Sequence, residues 1–451
     1  MAAEEALLAR HQAKLAGLAS VLAAGAGPVG LRKETSNLFR DRAAAARRRL
    51  DVRAFNEVLR VEGDVVEAEG MVTYEALVDA CLARGVMPAV VPQLKTITLG
   101  GAVAGVGIES SSHRHGLVHD TVREIEVLLG DGRVVVATPD GEHADLFFGF
   151  PNSYGTLGYA LRVKAKTIPV RPYVRLEHRK FTQGKAFFET LETLLKASAA
   201  DFIDGTIFEP GRMFITLGTF CDTAPYTSDY TFENLYYRSI AERQEDYLTV
   251  KDYLWRWDTD WFWCSKNVGA QNRFLRKYAF GKRRLGSKTY TKIMRWNSRV
   301  GITKRAERLL GLHSESVIQD VDIPIARAVE FLDFYSREIG LWPQWVCPIG
   351  APQAGHAGSF VLYPMRSDWY VNFGFWDVKR TREGHPPGHF NRRIERKVAE
   401  LGGIKSLYSD SFFPEDEFAR LYSGEAYGEL KRRYDPSGAF PTLYEKCVLR
   451  A

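Results

Sequence analysis

The sequence lacks the features that mark a secreted, disulfide-bonded or membrane-spanning protein. Its five cysteines are odd in number and widely scattered, with no Cys-x-x-Cys pair, which argues against a disulfide framework and a zinc site. The one candidate targeting segment, residues 15–31, is uncharged but rich in alanine and glycine, and it falls short of a spanning helix. The chain opens Met-Ala-Ala-Glu-Glu, whereas an export signal opens on basic residues. We therefore expect a cytoplasmic protein without a metal site.

The composition itself is that of a folded soluble protein. Hydrophobic residues make up 45% and charged residues 26% of the chain, which excludes a disordered or fibrous protein. A length of 451 residues is enough for two or three domains.

Local patterns in the first 170 residues predict an α+β domain. Strands are expected around Val58–Val61 and Val65–Glu69, followed by a helix from about Tyr74 to Arg84. Two apolar runs then meet at Asp131-Gly132, a dipeptide that strongly favours a hairpin turn. Strand and helix patterns mix again from about Tyr173, which predicts a second domain.

A glycine-rich segment between Pro92 and Asp120 is the main candidate for a ligand site. Such a run lets the backbone approach a diphosphate or a flavin ring closely. It is not a dinucleotide-binding fingerprint, because Ser110 stands three positions after Gly107, and no Gly-Lys-Ser/Thr of a P-loop follows. A glycine-rich surface loop remains the alternative. The glycines are Gly100, Gly101, Gly105, Gly107 and Gly116.

A series of further motifs extends from this segment to the end of the chain. They are Val91-Pro-Gln-Leu94, Thr98-Leu-Gly-Gly101, Gly107-Ile-Glu-Ser-Ser-Ser-His113, Gly116-Leu117, Gly130-Asp-Gly132, Asp145-Leu-Phe147, Gly155-Thr-Leu-Gly158, Trp345-Val-Cys-Pro348, Leu407-Tyr-Ser-Asp410 and Phe440-Pro-Thr-Leu-Tyr-Glu-Lys446. Together they resemble the Δ24-sterol reductase (Diminuto) branch of the vanillyl-alcohol-oxidase-like flavoproteins, which have a PCMH-type FAD domain.

This resemblance implies an α+β protein with a bipartite FAD-binding domain, made of two α+β subdomains, and an α+β cap domain that covers the flavin. The expected boundaries are an N-terminal helix over 1–30, the FAD-binding domain over 31–170, the cap over 171–410, and a segment packing back on the FAD domain over 411–451.

The resemblance also implies which residues hold FAD. Two features of the sequence depart from the family: the early loop Arg32–Asn37 is not glycine-rich, and no counterpart of the animal enzymes' membrane-spanning N-terminus is present. Since no histidine lies between His11 and His113, we expect non-covalent FAD. The expected contacts are Thr98, Leu99, Gly100, Gly101, Gly105, Gly107, Ile108, Glu109, Ser110, His113, Gly116, Gly155, Thr156 and Gly158.

The implied reaction is reduction of an isolated carbon–carbon double bond, with NAD(P)H as the reductant. An unactivated alkene needs a positioned acid as well as a hydride. The candidate catalytic residues are Glu109, Asp410 with Tyr408 in a strand facing the flavin, and Tyr370 with Asn372, which strand alternation places on one face.

A basic segment over residues 273–308 carries thirteen Lys or Arg against one acid. Four tryptophans precede it within Trp255–Trp263. Basic residues beside interfacial aromatics suit docking on an anionic lipid surface. The alternative is a solvated helix face with tryptophans in the core, and no nucleic-acid-binding fold is recognised.

The leading hypothesis is an FAD-dependent reductase of a membrane lipid, acting on a methylene-branched acyl phospholipid or a sterol side chain. The alanine- and arginine-rich composition favours a bacterial protein and hence the acyl lipid. An FAD-dependent alcohol oxidase or dehydrogenase and a non-catalytic lipid-binding protein are the alternatives. The expected partners are the lipid, an anionic membrane surface with peripheral attachment, and a lipid-modifying enzyme, but no nucleic acid.

Overall fold

The computed structural model describes residues 2–23, 25, 27–35, 39–40, 47–290, 292–293, 311–350 and 360–450. The part of the chain before residue 170 builds one antiparallel sheet and a separate parallel strand pair. Its elements are helix α1 (Ala2–Ala23), strands β1 (Val29–Arg32), β2 (Arg48–Asp51), β3 (Val58–Glu62) and β4 (Val65–Glu69), helix α2 (Tyr74–Leu82), strand β5 (Val86–Pro88), helices α3 (Leu99–Gly105) and α4 (Ser112–His115), strands β6 (Val122–Leu128) and β7 (Val134–Ala137), helix α5 (Ala144–Gly149) and strand β8 (Tyr159–Pro169).

The rest of the described chain builds a second, larger antiparallel sheet. Its elements are strand β9 (Tyr173–Phe181), helix α6 (Gly184–Lys196), strands β10 (Phe202–Glu209) and β11 (Arg212–Cys221), helix α7 (Tyr236–Glu242), strand β12 (Glu245–Thr249), helix α8 (Val250–Leu254), strand β13 (His313–Pro324), helix α9 (Ala328–Glu338), strands β14 (Gln344–Gly350) and β15 (Trp369–Thr381), helix α10 (His389–Glu400), strand β16 (Ile404–Lys405) and helices α11 (Glu415–Leu421), α12 (Gly424–Tyr434) and α13 (Leu443–Cys447).

The first sheet has the strand order β3-β4-β8-β6-β7, with β5 paired to β8. Strands β3 and β4 and helix α2 confirm the predicted elements, and helix α2 ends two residues before the expected Arg84. The hairpin between β6 and β7 is confirmed as well. Gly132 adopts φ +90 in its turn, a conformation that favours glycine over other residues.

The second sheet has the order β12-β9-β11-β10-β14-β15-β13-β16. Helices α6, α9 and α10 cover one of its faces and bury the odd-numbered side chains of β15, such as Phe373 and Phe375, in an apolar core. Since side chains alternate along a strand, the even-numbered residues of β15 and β13 point to the opposite face. That face looks toward the first sheet. The predicted α+β class with a separate cap sheet is therefore confirmed.

Both ends of the chain pack on the first sheet. Helix α1 buries Leu15, Leu18 and Leu22 against β1, β2 and β8. At the other end, Val29 donates its backbone N–H to Ala439 (2.8 Å), and Phe440 packs edge-to-face on Tyr159. Within the ranges given above, no helix combines the length and apolarity needed to cross a bilayer.

Candidate functional site

A cavity of about 1090 Å³ lies between the two sheets. On one side it is lined by helix α3, the turn before β8 and the early segment from Gly30 to Thr35. On the other side it is lined by β13, β14 and β15 and by aromatic side chains from residues 261–290. Its volume is slightly larger than the roughly 300–1,000 Å³ common for small-molecule pockets.

The glycine-rich segment includes a short helix, α3, and is not a loop throughout. Thr98 caps helix α3 by accepting a hydrogen bond from the Gly101 N–H (3.3 Å). A Cβ on Gly100 would lie 3.0 Å from the Gly70 carbonyl oxygen and 3.1 Å from that of Ala160. Glycine is needed at position 100 because the helix packs directly on the backbone of the sheet. Gly101, by contrast, is exposed to the cavity.

Most of the predicted FAD contacts line the cavity. The residues that do so are Thr98, Gly100, Gly101, Gly105, Gly107, Ile108, Glu109, Gly155 and Gly158. A Cβ on Gly107 would lie 2.7 Å from the Val118 side chain and 2.9 Å from that of Pro92, which explains the glycine there by packing alone.

Five other predicted contacts lie outside the lining: Leu99, Ser110, His113, Gly116 and Thr156. The Ser110 carbonyl accepts from the Ile203 N–H (2.9 Å), and the His113 ring approaches the Ser110 and Ala200 carbonyl oxygens. Burial lowers the pKa of His113 to about 4. Ser110 and His113 therefore attach the first sheet to the cap.

The early segment lines the cavity although it is charged instead of glycine-rich. It contributes Arg32 and Lys33, and Arg40, Arg47 and Arg49 follow it in the chain. Lys446 adds another cation from helix α13. A basic wall of this kind suits a diphosphate, because guanidinium and ammonium groups both bind phosphate oxygens. The continuation of the early segment to Asn37 lies outside the described residues.

Buried polar atoms without partners also point to a bound group at this wall. Both amide atoms of Gln93 are buried without a hydrogen-bond partner in the described part of the chain, and so is Arg40 Nη2. Both residues line the cavity. Because buried polar groups are normally paired, these atoms and the glycine surface of α3 fit FAD.

The cap end of the cavity is formed by the strand faces that point away from helices α6, α9 and α10. Asp322 accepts hydrogen bonds from the Asn372 amide (2.7 Å) and from the Tyr363 hydroxyl (2.7 Å), so both its oxygens are satisfied. Asp320, two residues earlier, also lines the cavity, but its Oδ1 has no hydrogen-bond partner among the described residues.

The surroundings of these two carboxyl groups raise the pKa of both. Burial and the neighbouring Asp322 raise the pKa of Asp320 to about 7, against a hydrogen bond from Tyr408. Burial likewise raises the pKa of Asp322 to about 6. A protonated carboxyl near neutral pH is a suitable general acid. Sequence reasoning missed both residues, although their spacing of two in an apolar strand was a usable signal.

Glu109 lies in a different environment, at the junction of α3 and the cap. The Arg256 guanidinium contacts Glu109 Oε1 and Asp204 Oδ2, both at 2.9 Å, and all three side chains are at most 2% exposed. Ser110 also donates to Glu109 Oε1 (2.7 Å). We call Glu109, Asp204 and Arg256 the arginine clamp. A carboxylate in an ion pair of this kind is better suited to positioning other groups than to donating a proton.

The remaining predicted catalytic residues separate into two groups. Tyr408 and Asn372 line the cavity, whereas Tyr370 and Asp410 do not. The expected strand at Tyr408 and Asp410 is wrong, because β16 ends at Lys405 and Tyr408 lies in a turn. Asp410 Oδ1 instead lies 3.6 Å from the Arg450 guanidinium.

Tyr408 is fixed by contacts from both domains. Its hydroxyl accepts from the Trp376 indole N–H (2.8 Å), and its backbone carbonyl accepts from the Phe39 N–H (3.0 Å). Tyr370 is buried, and its hydroxyl accepts from the Arg366 N–H (3.0 Å).

The tryptophans of residues 255–263 are in the core, so the expectation that they face a lipid surface is wrong. Their exposed fractions do not exceed 7%. Trp261 stacks on Tyr290, and both line the cavity. Two aromatic side chains of the basic segment itself are exposed, Phe274 (75%) and Tyr278 (74%). Its basic residues from 295 to 308 lie outside the described residues.

Comparisons with known proteins agree with this geometry. A family model described as "FAD binding domain" matches residues 6–138. The chain is 25% identical to the Delta(24)-sterol reductase of Homo sapiens over 85% of this chain and 74% of the human protein. It is 25% identical to the Delta(24)-sterol reductase of Arabidopsis thaliana, over 88% and 76%. Cytokinin dehydrogenase 1 of Oryza sativa subsp. japonica matches 34% of the chain at 26% identity. The resemblance inferred from the motifs and the FAD cofactor are confirmed.

Proposed function

We propose that this FAD-dependent oxidoreductase reduces an isolated carbon–carbon double bond of a membrane lipid. The observation that carries this proposal is the cap end of the cavity, where aromatic side chains surround two carboxyl groups with raised pKa values. NAD(P)H is the proposed reductant, and FAD is proposed to be held without a covalent bond.

The two sides of the cavity have different proposed roles, one in holding FAD and the other in protecting the alkene from water. FAD, when bound, supplies the hydride chemistry, and helix α3 with the basic early segment would hold it. The aromatic side chains of Trp261, Trp345 and Trp376 exclude water from the cap end. Exclusion of water matters because an isolated alkene becomes cation-like as it accepts a proton, and water would intercept it.

The substrate is proposed to be a methylene-branched acyl chain of a phospholipid or the side chain of a sterol. The relatives are Delta(24)-sterol reductases, which supports an alkene as the reacting group. The bacterial character of the composition favours the acyl lipid.

An exposed surface on the basic segment supports peripheral attachment to an anionic membrane. Phe274, Leu275 and Tyr278 expose apolar side chains, and Lys282–Arg284 follow closely as exposed cations. We call these six residues the docking surface. Arg276 is not part of it, because its guanidinium is buried and donates to the Thr259 and Ala270 carbonyls. Apolar side chains with neighbouring cations are suited to an anionic bilayer surface.

Anaerobic rapid mixing tests the proposed reaction. The holoenzyme is reduced with NADPH or NADH and then mixed with vesicles that contain a methylene-branched acyl phospholipid, or with a sterol that has a side-chain double bond. We expect the flavin to be bleached by the nucleotide and reoxidised by one of the two alkenes. Bleaching by an alcohol, with reoxidation by oxygen alone, would establish an alcohol oxidase instead.

Flotation with vesicles tests the docking surface. We expect binding to anionic vesicles and a loss of roughly 100-fold when Lys282, Arg283 and Arg284 are all replaced by alanine. Replacement of Phe274 and Tyr278 by alanine should weaken binding as well. Tyr226→Ala is the matched control, since Tyr226 is 45% exposed and lies outside the docking surface. Equal binding to neutral vesicles would contradict the electrostatic part of the proposal.

A further inference from the structure

Asp320 differs from the other carboxyl groups of the cavity in what surrounds it. It lies on β13, directly opposite Gly374 of β15. A Cβ on Gly374 would lie 2.7 Å from Asp320 Oδ1. The glycine therefore leaves the space that the carboxyl group occupies. Asp320 lines the cavity, and its Oδ1 is buried without a donor in the described chain.

Burial and the neighbouring Asp322 on β13 favour the neutral form of Asp320, whereas a hydrogen bond from Tyr408, in the turn after β16, opposes it. Tyr154 faces Asp320 from the turn before β8. None of these three groups is a cation. By contrast, Asp322 has both oxygens satisfied by neutral donors, and Glu109 has the Arg256 guanidinium.

The Tyr408 hydroxyl has a defined orientation toward Asp320. An indole N–H can only donate, so the Trp376 N–H makes the Tyr408 oxygen an acceptor and leaves the phenolic proton for Asp320. Tyr408 is thus a positioning residue. It holds Asp320 at the cavity wall without removing the proton that Asp320 carries.

We propose that Asp320 is the acid that protonates the double bond, an inference that rests on the proposed function. The π electrons of the alkene form a carbon–hydrogen bond with the Asp320 proton at one carbon, and the other carbon takes up the hydride supplied through FAD from NAD(P)H. Asp320 is left as a carboxylate and regains a proton from water.

The test compares Asp320→Asn with Asp322→Asn, a matched variant on the same face of the same strand. In Asp320→Asn, reduction of the flavin by NAD(P)H should persist, while its reoxidation by the alkene should slow by about 100-fold to 10,000-fold. Reoxidation in the wild type should fall as pH rises through about 7. Asp322→Asn should shift this decline to lower pH, because the Asp322 charge raises the pKa of Asp320.

A second readout does not depend on turnover. The infrared difference spectrum of wild type minus Asp320→Asn, measured without substrate, should contain a protonated-carboxyl band that titrates near pH 7. The difference is needed because burial also raises the pKa of Asp120 and Asp260 to about 7, and their bands cancel in it. If neither alkene reoxidises the wild-type flavin, the proposed function fails and this inference fails with it. If the wild type reacts and Asp320→Asn keeps its rate within about threefold, or if the difference spectrum lacks this band, the inference alone is overturned.

Discussion

The cavity is bordered by two buried carboxylate sites that differ in the charge of their partners. In the arginine clamp, Glu109 and Asp204 share one guanidinium, which is fully buried with them. At the cap end, Asp320 and Asp322 have only neutral hydrogen-bond donors. Burial removes hydration from all four groups, but only the clamp replaces it with a cation.

The two sites show that a buried carboxyl group takes its role from its partners as well as from burial. A guanidinium shared by two carboxyl groups joins elements, here the segment after helix α3 with strand β10. Neutral donors in a dry site instead leave the proton on the acid. The first arrangement stabilises the junction of the two domains, and the second stores a proton where the proposed reaction needs one.

Removal of the cation from the clamp should have the largest effect. Arg256→Met leaves Glu109 and Asp204 buried without their partner, and we expect a loss of about 3–5 kcal/mol in the free energy of unfolding. Urea unfolding measures this loss. Arg179→Met is the control, because Arg179 pairs with Glu177 at the surface and should change stability by less than about 1 kcal/mol. A similar stability of both variants would contradict the assigned role.

Glu109→Gln removes one carboxylate from the arginine clamp and leaves the carboxyl groups of the cap end unchanged. Arg256 retains Asp204, so we expect a smaller loss, of about 1–3 kcal/mol, in the free energy of unfolding. The decline of alkene-dependent reoxidation near pH 7 should remain. If this pH-dependent decline disappeared in Glu109→Gln, the acid would be Glu109 and not Asp320.

Gly374→Ala tests whether the space beside Asp320 is required. The new methyl group would lie 2.6 Å from the Trp376 ring and 2.7 Å from Asp320 Oδ1, so we expect a loss of about 1–2 kcal/mol from overpacking. Thermal unfolding measures it. Gly17→Ala serves as control, since nothing lies within 4 Å of a Cβ there and the helix should gain stability. Unchanged stability in Gly374→Ala would show that the strands separate easily.

A third buried site contains a histidine, whose side chain can lose its positive charge near neutral pH, unlike the arginine of the clamp. His11 of helix α1 contacts Glu69 (2.8 Å) and Glu126 (2.6 Å). Burial opposes charge on the ring, but the hydrogen bonds to both carboxylates outweigh it and raise the pKa of His11 above 6.5.

The stabilisation from His11 should therefore be complete below pH 6.5 and be lost as pH rises through the raised pKa. The difference in unfolding free energy between the wild type and His11→Leu should shrink by at most about 1.4 kcal/mol per pH unit. Urea unfolding from pH 6 to 9 measures it, and a pH-independent difference would show a neutral ring.

Local structure was predictable where a few neighbouring residues decide it. The strands at 58–62 and 65–69, helix α2 and the Asp131-Gly132 hairpin follow from alternation and turn chemistry that act within ten residues. The glycine segment lines the cavity, and its assignment to the ligand site stays a prediction. Its helical conformation was not predicted, because glycine weakens isolated helices and this one is stabilised by packing on Gly70 and Ala160 and by the Thr98 cap.

Local patterns and motifs in the sequence were thus sufficient for the α+β class and the family resemblance, and they singled out a glycine-rich segment that lines the cavity. Only the tertiary structure decided which carboxyl groups face the cavity and which have a cation. Glu109 and Arg256 are 147 residues apart, and Asp322 and Asn372 are 50 apart. Charge states in a protein interior depend on such distant partners and on dehydration, which no local sequence pattern records.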